Sequence, residues 1–265
     1  MLQVGYKPVN ELLENSMPTS SSLRLISAQW PAPAQVKAYV TTNQANMALH
    51  VGDDPRKVLL NRAQLTEQLQ LTQPICWLEQ QHTTLVVKAD HWQQPPIADA
   101  VWTDQPGLAC AVMTADCLPV FFTDLKGEKV AAAHAGWRGL LGGVLENTVA
   151  AMHTDPAQLI AWFGPAISQA AFEVGEEVRA AFVEQDAEAV AAFIPTEKPN
   201  HWLADLYQLA RLRLMRLGLT ACYGGDYCTY NQSDLFYSYR RSARSVNIGG
   251  RMASLIWFDP PSQKS

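Results

Sequence analysis

Cys117 and His134 are the two residues of this sequence best placed to do chemistry together. Each lies where an apolar run meets polar residues: Cys117 between the runs 108–113 and 118–122, and His134 after the run 130–133. Groups at the ends of strands can converge on one cleft while the strands hold them rigid. A thiolate beside an imidazole is either a nucleophile with its base or two ligands of a metal such as zinc. The pair alone does not decide between these two chemistries.

A buried cysteine without a chemical role is the alternative interpretation, because free Cys is among the most buried residue types. Two flanking features weigh against it. Asp116 precedes Cys117, and a glycine-rich turn containing Arg138 follows His134. Charged groups of this kind are costly in a core. We therefore favour a functional pair. His82, at the edge of the β-branched run 83–87, is a third candidate, although a solvent-facing strand histidine is as good an explanation of it alone.

The elements that must position these residues can be read from the apolar patterns. Strand-length runs at 36–42, 76–78, 83–87, 108–113, 118–122, 130–133, 159–163 and 220–223 are interleaved with helical patterns. We expect helices from Asp53-Asp54-Pro55 onward, over 138–152, over 173–184 and over 203–217. The Gly142-Gly143 pair inside the second of these suggests close packing against a neighbour.

This interleaving predicts a single α+β domain with mixed β-sheets in a sandwich-like core and flanking helices. Residues 1–24 form a polar leader that we expect to be an N-terminal arm. The domain then occupies residues 25–265.

Composition limits the class of protein. The chain has 265 residues, of which 48% are hydrophobic and 17% charged, as in a globular protein. The net charge of −5 argues against a general nucleic-acid surface. No apolar stretch reaches the roughly 18 residues that a membrane span needs, and Glu11 and Glu14 stand where a secretory signal has its apolar core. Five cysteines without framework spacing indicate reduced thiols and a cytoplasmic protein.

Several common catalytic motifs are absent from the sequence. There is no GxxxxGK[ST] phosphate loop and no GxGxxG dinucleotide turn, so P-loop hydrolysis and hydride transfer have no support. The zinc-deaminase signature and the GxSxG nucleophile elbow are missing as well.

A set of short motifs gives a more specific indication. They are QH at 81–82, AVMTADCLPV at 111–120, HAGWRG at 134–139, GPAI at 164–167, FEVG at 172–175, and GGDYCT, FYSYRR and GRMAS in the tail. Together they resemble the YfiH-like laccase-domain proteins over roughly residues 30–258. The combination of TADCLPV with HAGWRG is highly specific for that family.

The resemblance implies a metal site. It makes His82, Cys117 and His134 the protein ligands of a zinc ion in a surface cavity, with copper as the other metal to consider. Two imidazoles and a thiolate leave a fourth position open, which is typical of a catalytic rather than a structural zinc site.

Two functional descriptions are attached to the family. One is copper-dependent polyphenol oxidation, but blue and trinuclear copper centres need about ten His ligands with HxH pairs, whereas this chain has six His and no HxH. The other is phosphorolysis of adenosine, inosine and methylthioadenosine, with adenosine deamination as a side activity. The resemblance thus implies a small nucleoside and phosphate as partners, no nucleic acid or membrane, and a monomer or homodimer.

Phosphorolysis requires a site for phosphate, and the candidate arginines are Arg138, Arg240, Arg241 and Arg251, because guanidinium groups match phosphate oxygens. We expect one or two of them to act. Asp116 is either an acid/base group or a carboxylate that orients a ligand imidazole. Trp137 and the tail aromatics could stack on a purine. We assign catalytic roles to Cys117, Asp116 and Arg138, and substrate contacts to Asn46, Arg240 and Arg251.

The sequence departs from the family pattern in one loop. Family members usually carry an Arg and a Gly-Gly-Val-Ser segment after the Thr-Thr of the early strand, whereas Thr41-Thr42 is followed here by Asn43, Gln44, Ala45 and Asn46. Asn46 and His50 still match positions beyond the gap. If the loop helps bind substrate, the activity is weak or the substrate altered.

Another hypothesis stays open. Cys117 could be a hydrolytic nucleophile with His134 as its base, acting on an amide or a peptidoglycan precursor. A metal-binding partner protein without activity is a weaker alternative, because it does not explain an open ligand position beside several arginines.

Overall fold

The computed structural model describes residues 22–244 and 249–260, which form three β-sheets and six α-helices. The strands are Leu25–Ser27 (β1), Val36–Thr41 (β2), Ile75–Cys76 (β3), Val86–Lys88 (β4), Ala100–Thr103 (β5), Ala109–Thr114 (β6), Leu118–Asp124 (β7), Val130–Ala135 (β8), Leu159–Phe163 (β9), Glu173–Gly175 (β10), Phe193–Pro195 (β11), His201–Ala204 (β12), Cys222–Gly224 (β13) and Met252–Phe258 (β14). The helices are Pro55–Gln68 (α1), Trp137–Gly142 (α2), Val144–Ala151 (α3), Glu176–Gln185 (α4), Leu206–Arg216 (α5) and Tyr239–Ser242 (α6).

The five-stranded sheet has the order β1-β2-β14-β6-β3. Strand β14 lies between β2 and β6 and is antiparallel to both, with Leu255 opposite Tyr39 on one side and Ala111 on the other. Strands β2 and β6 are far apart in sequence and are joined in this sheet only through β14.

The six-stranded sheet has the order β13-β9-β7-β8-β5-β4. Its central strand β7 is antiparallel to β8 and β9, while the two outer pairs, β13 with β9 and β4 with β5, are parallel. Every residue of β7, β8 and β9 is buried. Strands covered on both faces read as continuous apolar runs, and this explains why the sequence shows no polar alternation there.

The two large sheets pack face to face. Cys110, Val112 and Ile256 of the first sheet share a core with Phe121 and Ala132 of the second. Helix α1 covers the outer face of the first sheet, and helices α2 to α5 cover the outer face of the second. The small sheet β10-β12-β11 lies beside these helices. This helix–sheet–sheet–helix arrangement confirms the predicted α+β sandwich with flanking helices.

Helix α1 begins where the sequence predicts. The Asp54 side chain accepts a hydrogen bond from the backbone N–H of Arg56, and Pro55 occupies the first turn. The acidic cap satisfies one orphan N–H of the first turn, and Pro leaves one fewer to satisfy because it has no N–H.

The helix predicted over 138–152 is wrong as one continuous element. It is broken at Gly143, which has a φ of +99°, so α2 ends and α3 begins there. Glycine adopts this left-handed conformation without the steric cost that a Cβ brings. The expected close packing is confirmed at Gly142, where an added Cβ would lie 2.7 Å from Thr84 Cγ2.

The helices predicted over 173–184 and 203–217 both begin three residues later than expected. Their first residues form β10 and β12, which pair antiparallel with Glu173 opposite Leu203. Pairing between segments about thirty positions apart has no signature in a local helical pattern. Asp205 then caps α5 by accepting from the N–H of Gln208.

The strands predicted at 76–78 and 83–87 are shorter and shifted, to β3 and β4. Of the predicted N-terminal arm, residues 1–21 lie outside the described part of the chain. Within the described ranges no helix has the length and apolar character to cross a bilayer.

Candidate active site and metal centre

Cys117 lies in the short turn between β6 and β7 and is half-buried. The residue before it, Asp116, has a φ of +89°, and its carbonyl accepts a hydrogen bond from the N–H of Ile167 at 2.9 Å. A non-glycine residue in this region of backbone space is uncommon and persists where surrounding contacts hold it. The turn therefore presents the Cys117 thiol in a fixed direction.

His134 is inside β8, opposite Pro119 of β7, rather than just beyond the strand end as the sequence predicts. His134 is 4% exposed, and its Nδ1 lies 2.7 Å from a carboxylate oxygen of Asp99. A carboxylate accepts hydrogen bonds, so Nδ1 carries the hydrogen. Nε2 is then the nitrogen of His134 that is able to bind a metal.

His82 belongs to the loop before β4 and has a φ of +58°. Its ring lies edge-on to the His134 ring, with 4.8 Å between the centroids, and its Nε2 is 3.7 Å from Cys117 Sγ. The structure thus brings together the three residues that the resemblance implies as ligands.

The donor set fits a zinc ion. One ligand atom from each of His82, Cys117 and His134 lies within 4.8 Å of the other two. Tetrahedral zinc with the usual bond lengths separates a sulfur and a nitrogen ligand by about 3.6 Å, close to the 3.7 Å between Cys117 Sγ and His82 Nε2. The identity of the metal does not follow from this set, because imidazole and thiolate also suit copper.

Gly136 makes this approach possible. A Cβ at this position would lie 2.7 Å from His82 Cδ2 and 2.9 Å from Cys117 Sγ. Such distances are shorter than van der Waals contact. Glycine is therefore required between the two ligands.

In the metal-free cluster Cys117 and His134 form an ion pair. Burial lowers the pKa of His134, but the Cys117 charge and the Asp99 hydrogen bond raise it to about 9, so a metal that binds Nε2 displaces a proton. Burial by itself raises the pKa of the Cys117 thiol. The charge of His134 and hydrogen bonds from His134 and His82 outweigh burial and lower this pKa to about 6. Burial also raises the pKa of Asp99, yet the His134 and Thr83 contacts bring it down to about 2. Near neutral pH Cys117 is a thiolate, the form that binds metals, and Asp99 is ionised.

The cluster forms part of the wall of a cavity of about 450 Å³. The apolar residues of its wall are Met113, Trp137, Ile167, Phe172 and Leu206. The basic residues of the wall are His50, Arg138, Arg240 and Arg251, and two of the guanidinium groups lie over aromatic rings, Arg138 over Trp137 and Arg240 over Phe172. A cavity with an apolar wall and a few convergent polar groups is typical of a small-molecule site.

Three of the predicted arginines line this cavity. Arg138 lies over the Trp137 ring with 4.4 Å from Cζ to the centroid, and Arg251 lies 5.8 Å from the Tyr239 ring. Arg240 is held by Nη2 donating to the carbonyl of Glu173. Stacking and carbonyl contacts keep a guanidinium group oriented.

Two predicted residues lie elsewhere. The side chain of Asn46 is buried and accepts from the N–H of Ala48 and Arg251, so it lies behind the cavity wall rather than in it. Arg241 donates to the carbonyls of Thr229, Tyr230 and Phe236 and holds the tail in place.

Asp116 lines the cavity, but its carboxylate is directed at the protein. Its two oxygens accept hydrogen bonds from the hydroxyls of Thr229 and Ser238 and from the N–H of Arg240. The carboxylate that contacts a ligand imidazole is Asp99, not Asp116.

Sequence reasoning assigned no role to Asp99. The signal for it was one acidic residue inside the apolar run 98–102, where a charge is expensive unless partners surround it. Gln80 was also missed. Its side-chain amide pairs with the N–H and carbonyl of Met113 at 2.7 and 2.8 Å and anchors the His82 loop.

Comparison with known proteins identifies relatives. The chain is 50% identical over 243 residues to a purine nucleoside phosphorylase of Pseudomonas aeruginosa, covering 88% of this chain and 98% of the relative. It is 46% identical over 246 residues to the purine nucleoside phosphorylase YfiH of Escherichia coli, covering 89% and 99%.

Solved structures show the same fold. A Neisseria meningitidis protein superposes with a TM-score of 0.84 at 48% identity, covering 89% of this chain and 99% of that one. YlmD from Geobacillus stearothermophilus gives 0.80 at 27% identity, covering 91% and 100%. The model of the multi-copper polyphenol oxidoreductase laccase family matches residues 36–259. Because that match spans most of the chain, the protein belongs to this family, that of the YfiH-like laccase-domain proteins.

Proposed function

We propose that the protein is a zinc-dependent purine nucleoside phosphorylase that acts on adenosine, inosine and methylthioadenosine. Adenosine deamination is proposed as a side activity. The observation that carries the proposal is one cavity whose wall combines a His-Cys-His cluster, three arginines and several apolar side chains. The names of relatives at 44 to 50% identity support the same reaction.

The reaction needs an anion held near the sugar. A phosphate oxygen forms a bond to C1′ of the ribose, the bond from C1′ to N9 breaks, and the base leaves with the electron pair and takes up a proton. Arg240 and Arg251 are suited to hold the phosphate, because charge-assisted bonds from guanidinium to phosphate are strong and directional. Arg138, stacked on Trp137, is the third arginine of the cavity.

The base requires a flat apolar surface. Trp137 and Phe172 line the cavity, and aromatic rings of this kind stack on purines. Arg138 lies over the first ring and Arg240 over the second, so a base placed against these rings has its ribose near the guanidinium groups. This proximity brings C1′ to the phosphate, and orientation of two reactants lowers the barrier substantially.

His82, Cys117 and His134 would hold the zinc ion. When bound, the ion supplies Lewis-acid polarisation of an oxygen or nitrogen atom at its open position. The chain itself contributes the thiolate and the two imidazoles in fixed positions. We assign Asp116 a supporting role, since its oxygens already accept three hydrogen bonds from the protein.

The test combines metal analysis with a chromatographic assay. Protein purified without added metal is analysed for zinc and copper, and adenosine is incubated with it in the presence and absence of phosphate. We expect near-stoichiometric zinc and adenine release that depends on phosphate. Inosine formed without phosphate would report deamination. Cys117→Ala should abolish adenine release, while Cys222→Ala, at a half-buried cysteine of the sheet edge, should not. Intact nucleosides with metal-replete protein would overturn the proposal.

A cysteine hydrolase is the second candidate, because Cys117, His134 and Asp99 are arranged as nucleophile, base and orienting carboxylate. Metal removal separates the two. Chelation should stop the phosphorylase, whereas a nucleophilic thiolate should keep or gain activity on amide substrates when the metal is gone.

A further inference from the structure

The Asp99 carboxylate is fully buried beneath the ligand cluster, directly before β5. Its neighbours in sequence, Ala98, Ala100 and Val101, are also fully buried. A charge in such surroundings is stable only where hydrogen-bond donors surround it. The hydrogen bonds of the Asp99 carboxylate therefore indicate its structural role.

Asp99 Oδ1 contacts both histidine ligands. It accepts a hydrogen bond from Nδ1 of the His134 ring at 2.7 Å and another from the backbone N–H of His82 at 3.1 Å. One oxygen atom thus sets the ring orientation of one ligand and the backbone position of the other.

Asp99 Oδ2 holds the residues on either side of His82. It accepts from the N–H of Gln81 at 3.2 Å, and from the N–H and the hydroxyl of Thr83 at 2.6 and 2.8 Å. Three consecutive backbone N–H groups converge on the carboxylate, in the manner of an anion-binding nest. The left-handed backbone of His82 is held in place by these contacts.

The main chain of Asp99 belongs to the same network. Its carbonyl accepts from the N–H of His134 at 2.7 Å, and its own N–H donates to the carbonyl of Leu85 at 3.1 Å. Strand β8 and the His82 loop are therefore joined through one residue. Gln80 fixes the other end of the loop on Met113.

We infer that Asp99 is the positioning residue that builds the metal site before any metal arrives, by fixing the orientation of the His134 ring and the His82 loop together. On this inference, zinc affinity and the order of the His82 loop depend on Asp99, whichever substrate the protein acts on. Only its effect on nucleoside cleavage rests on the proposed function.

The test is Asp99→Asn with the Zn²⁺ ion alone as the probe. Asn offers one acceptor oxygen in place of two, and its NH₂ group faces N–H donors, so either the ring or the loop loses its partner. Zinc affinity, measured by chelator competition, should fall about 10- to 100-fold, as for other partners of metal-ligating histidines. Amide hydrogen exchange over residues 79–85 should become faster.

Asp124→Asn is the matched control. Asp124 is a buried aspartate at the opposite end of β7 from Cys117, and it accepts hydrogen bonds from the N–H groups of Glu128 and Lys129. If the loss of a buried carboxylate acted through stability alone, both variants would lose zinc affinity. We expect Asp124→Asn instead to keep its zinc affinity and its slow amide exchange over 79–85. Equal zinc affinity in the two variants would overturn the inference.

The wild-type protein gives a second measurement that does not depend on a variant folding. Nitrogen NMR of the zinc-loaded protein should show a proton on Nδ1 of His134, and exchange over 79–85 should be equally slow with and without zinc. A proton on Nε2, or a loop that orders only with zinc, would contradict the inference. If these tests succeed while nucleosides stay intact, only the proposed function fails.

Discussion

The backbone N–H of Arg240 donates to the Asp116 carboxylate at 2.6 Å, although the two residues are 124 positions apart. Asp116 directly precedes the candidate ligand Cys117, and Arg240 is one of the basic groups of the cavity. One residue therefore joins the turn that carries Cys117 to the backbone of Arg240. A substitution at Asp116 is expected to disturb both.

Asp116→Asn is expected to weaken phosphate binding more than it slows the chemical step. The amide keeps the shape but has one acceptor oxygen for three donors, so a buried donor loses its partner, at a cost of about 1–3 kcal/mol in the free energy of unfolding. As Arg240 shifts, KM for phosphate should rise about tenfold with a smaller change in kcat. Steady-state kinetics at varied phosphate and urea unfolding measure the two effects. Thr229→Val removes one donor only and should show a smaller rise. An unchanged KM for phosphate in Asp116→Asn would contradict the assignment.

Gly136→Ala is expected to damage the metal site while the sheets stay intact. The new methyl group pushes against His82 and Cys117, so zinc affinity should fall at least about tenfold. Zinc competition and circular dichroism measure affinity and fold. Gly218→Ala is the control: it has a φ of +88° and open space for a Cβ, so it carries backbone strain without touching the site. Equal zinc affinity in both variants would show that the ligands tolerate the methyl group.

Alkylation of zinc-free protein reports the Cys117 thiolate directly. Since its pKa is lowered to about 6, the thiolate forms as pH rises through 6 and persists above it. The iodoacetamide rate at Cys117, followed by peptide mass spectrometry, should level off near pH 7. Burial raises the pKa of Cys222 to about 11, so its rate should still be rising at pH 9. Zinc should protect Cys117, and a midpoint near 8.5 at this cysteine would disprove the shift.

Arg251→Gln is expected to raise KM for phosphate strongly. Loss of a charge-assisted hydrogen bond costs about 1.5–3 kcal/mol, which corresponds to roughly 10- to 150-fold. The zinc content should be unchanged, because Arg251 is not a ligand. Arg244→Gln, at an exposed arginine whose Nη1 bonds the Tyr230 hydroxyl, is the matched control and should keep the wild-type KM. Equal KM values in the two variants would place the phosphate elsewhere.

Much of the site could be predicted from the sequence because its residues lie at the boundaries of apolar runs. Cys117 and His134 both border runs that form buried strands, and charged or glycine residues beside them indicate a cleft. Asp99 could not be predicted in the same way. Its partners at 81–83 and at 134 are distant in sequence, and no spacing rule connects a lone acidic residue to them.

The errors in the fold have the same origin. The strand pairing of Glu173 with Leu203 overrides two local helical patterns, and the break at Gly143 depends on one residue in a left-handed conformation. Asn46 is predicted to contact substrate because it matches a family position beyond the shortened loop. In the structure its buried side chain accepts a hydrogen bond from the N–H of Arg251. Local patterns predict elements well and non-local contacts poorly.

The place of β14 bears on how the protein is made. Strands β2 and β6 do not meet except through β14, which is synthesised after every other described element. During translation the first sheet therefore stays open until that strand has left the ribosome, and its long-range pairing makes closure slow. Arg251, directly before β14, arrives in the cavity with it. A nascent chain thus carries His82, Cys117 and His134 before Arg251 completes the cavity wall, so the candidate metal site can form first.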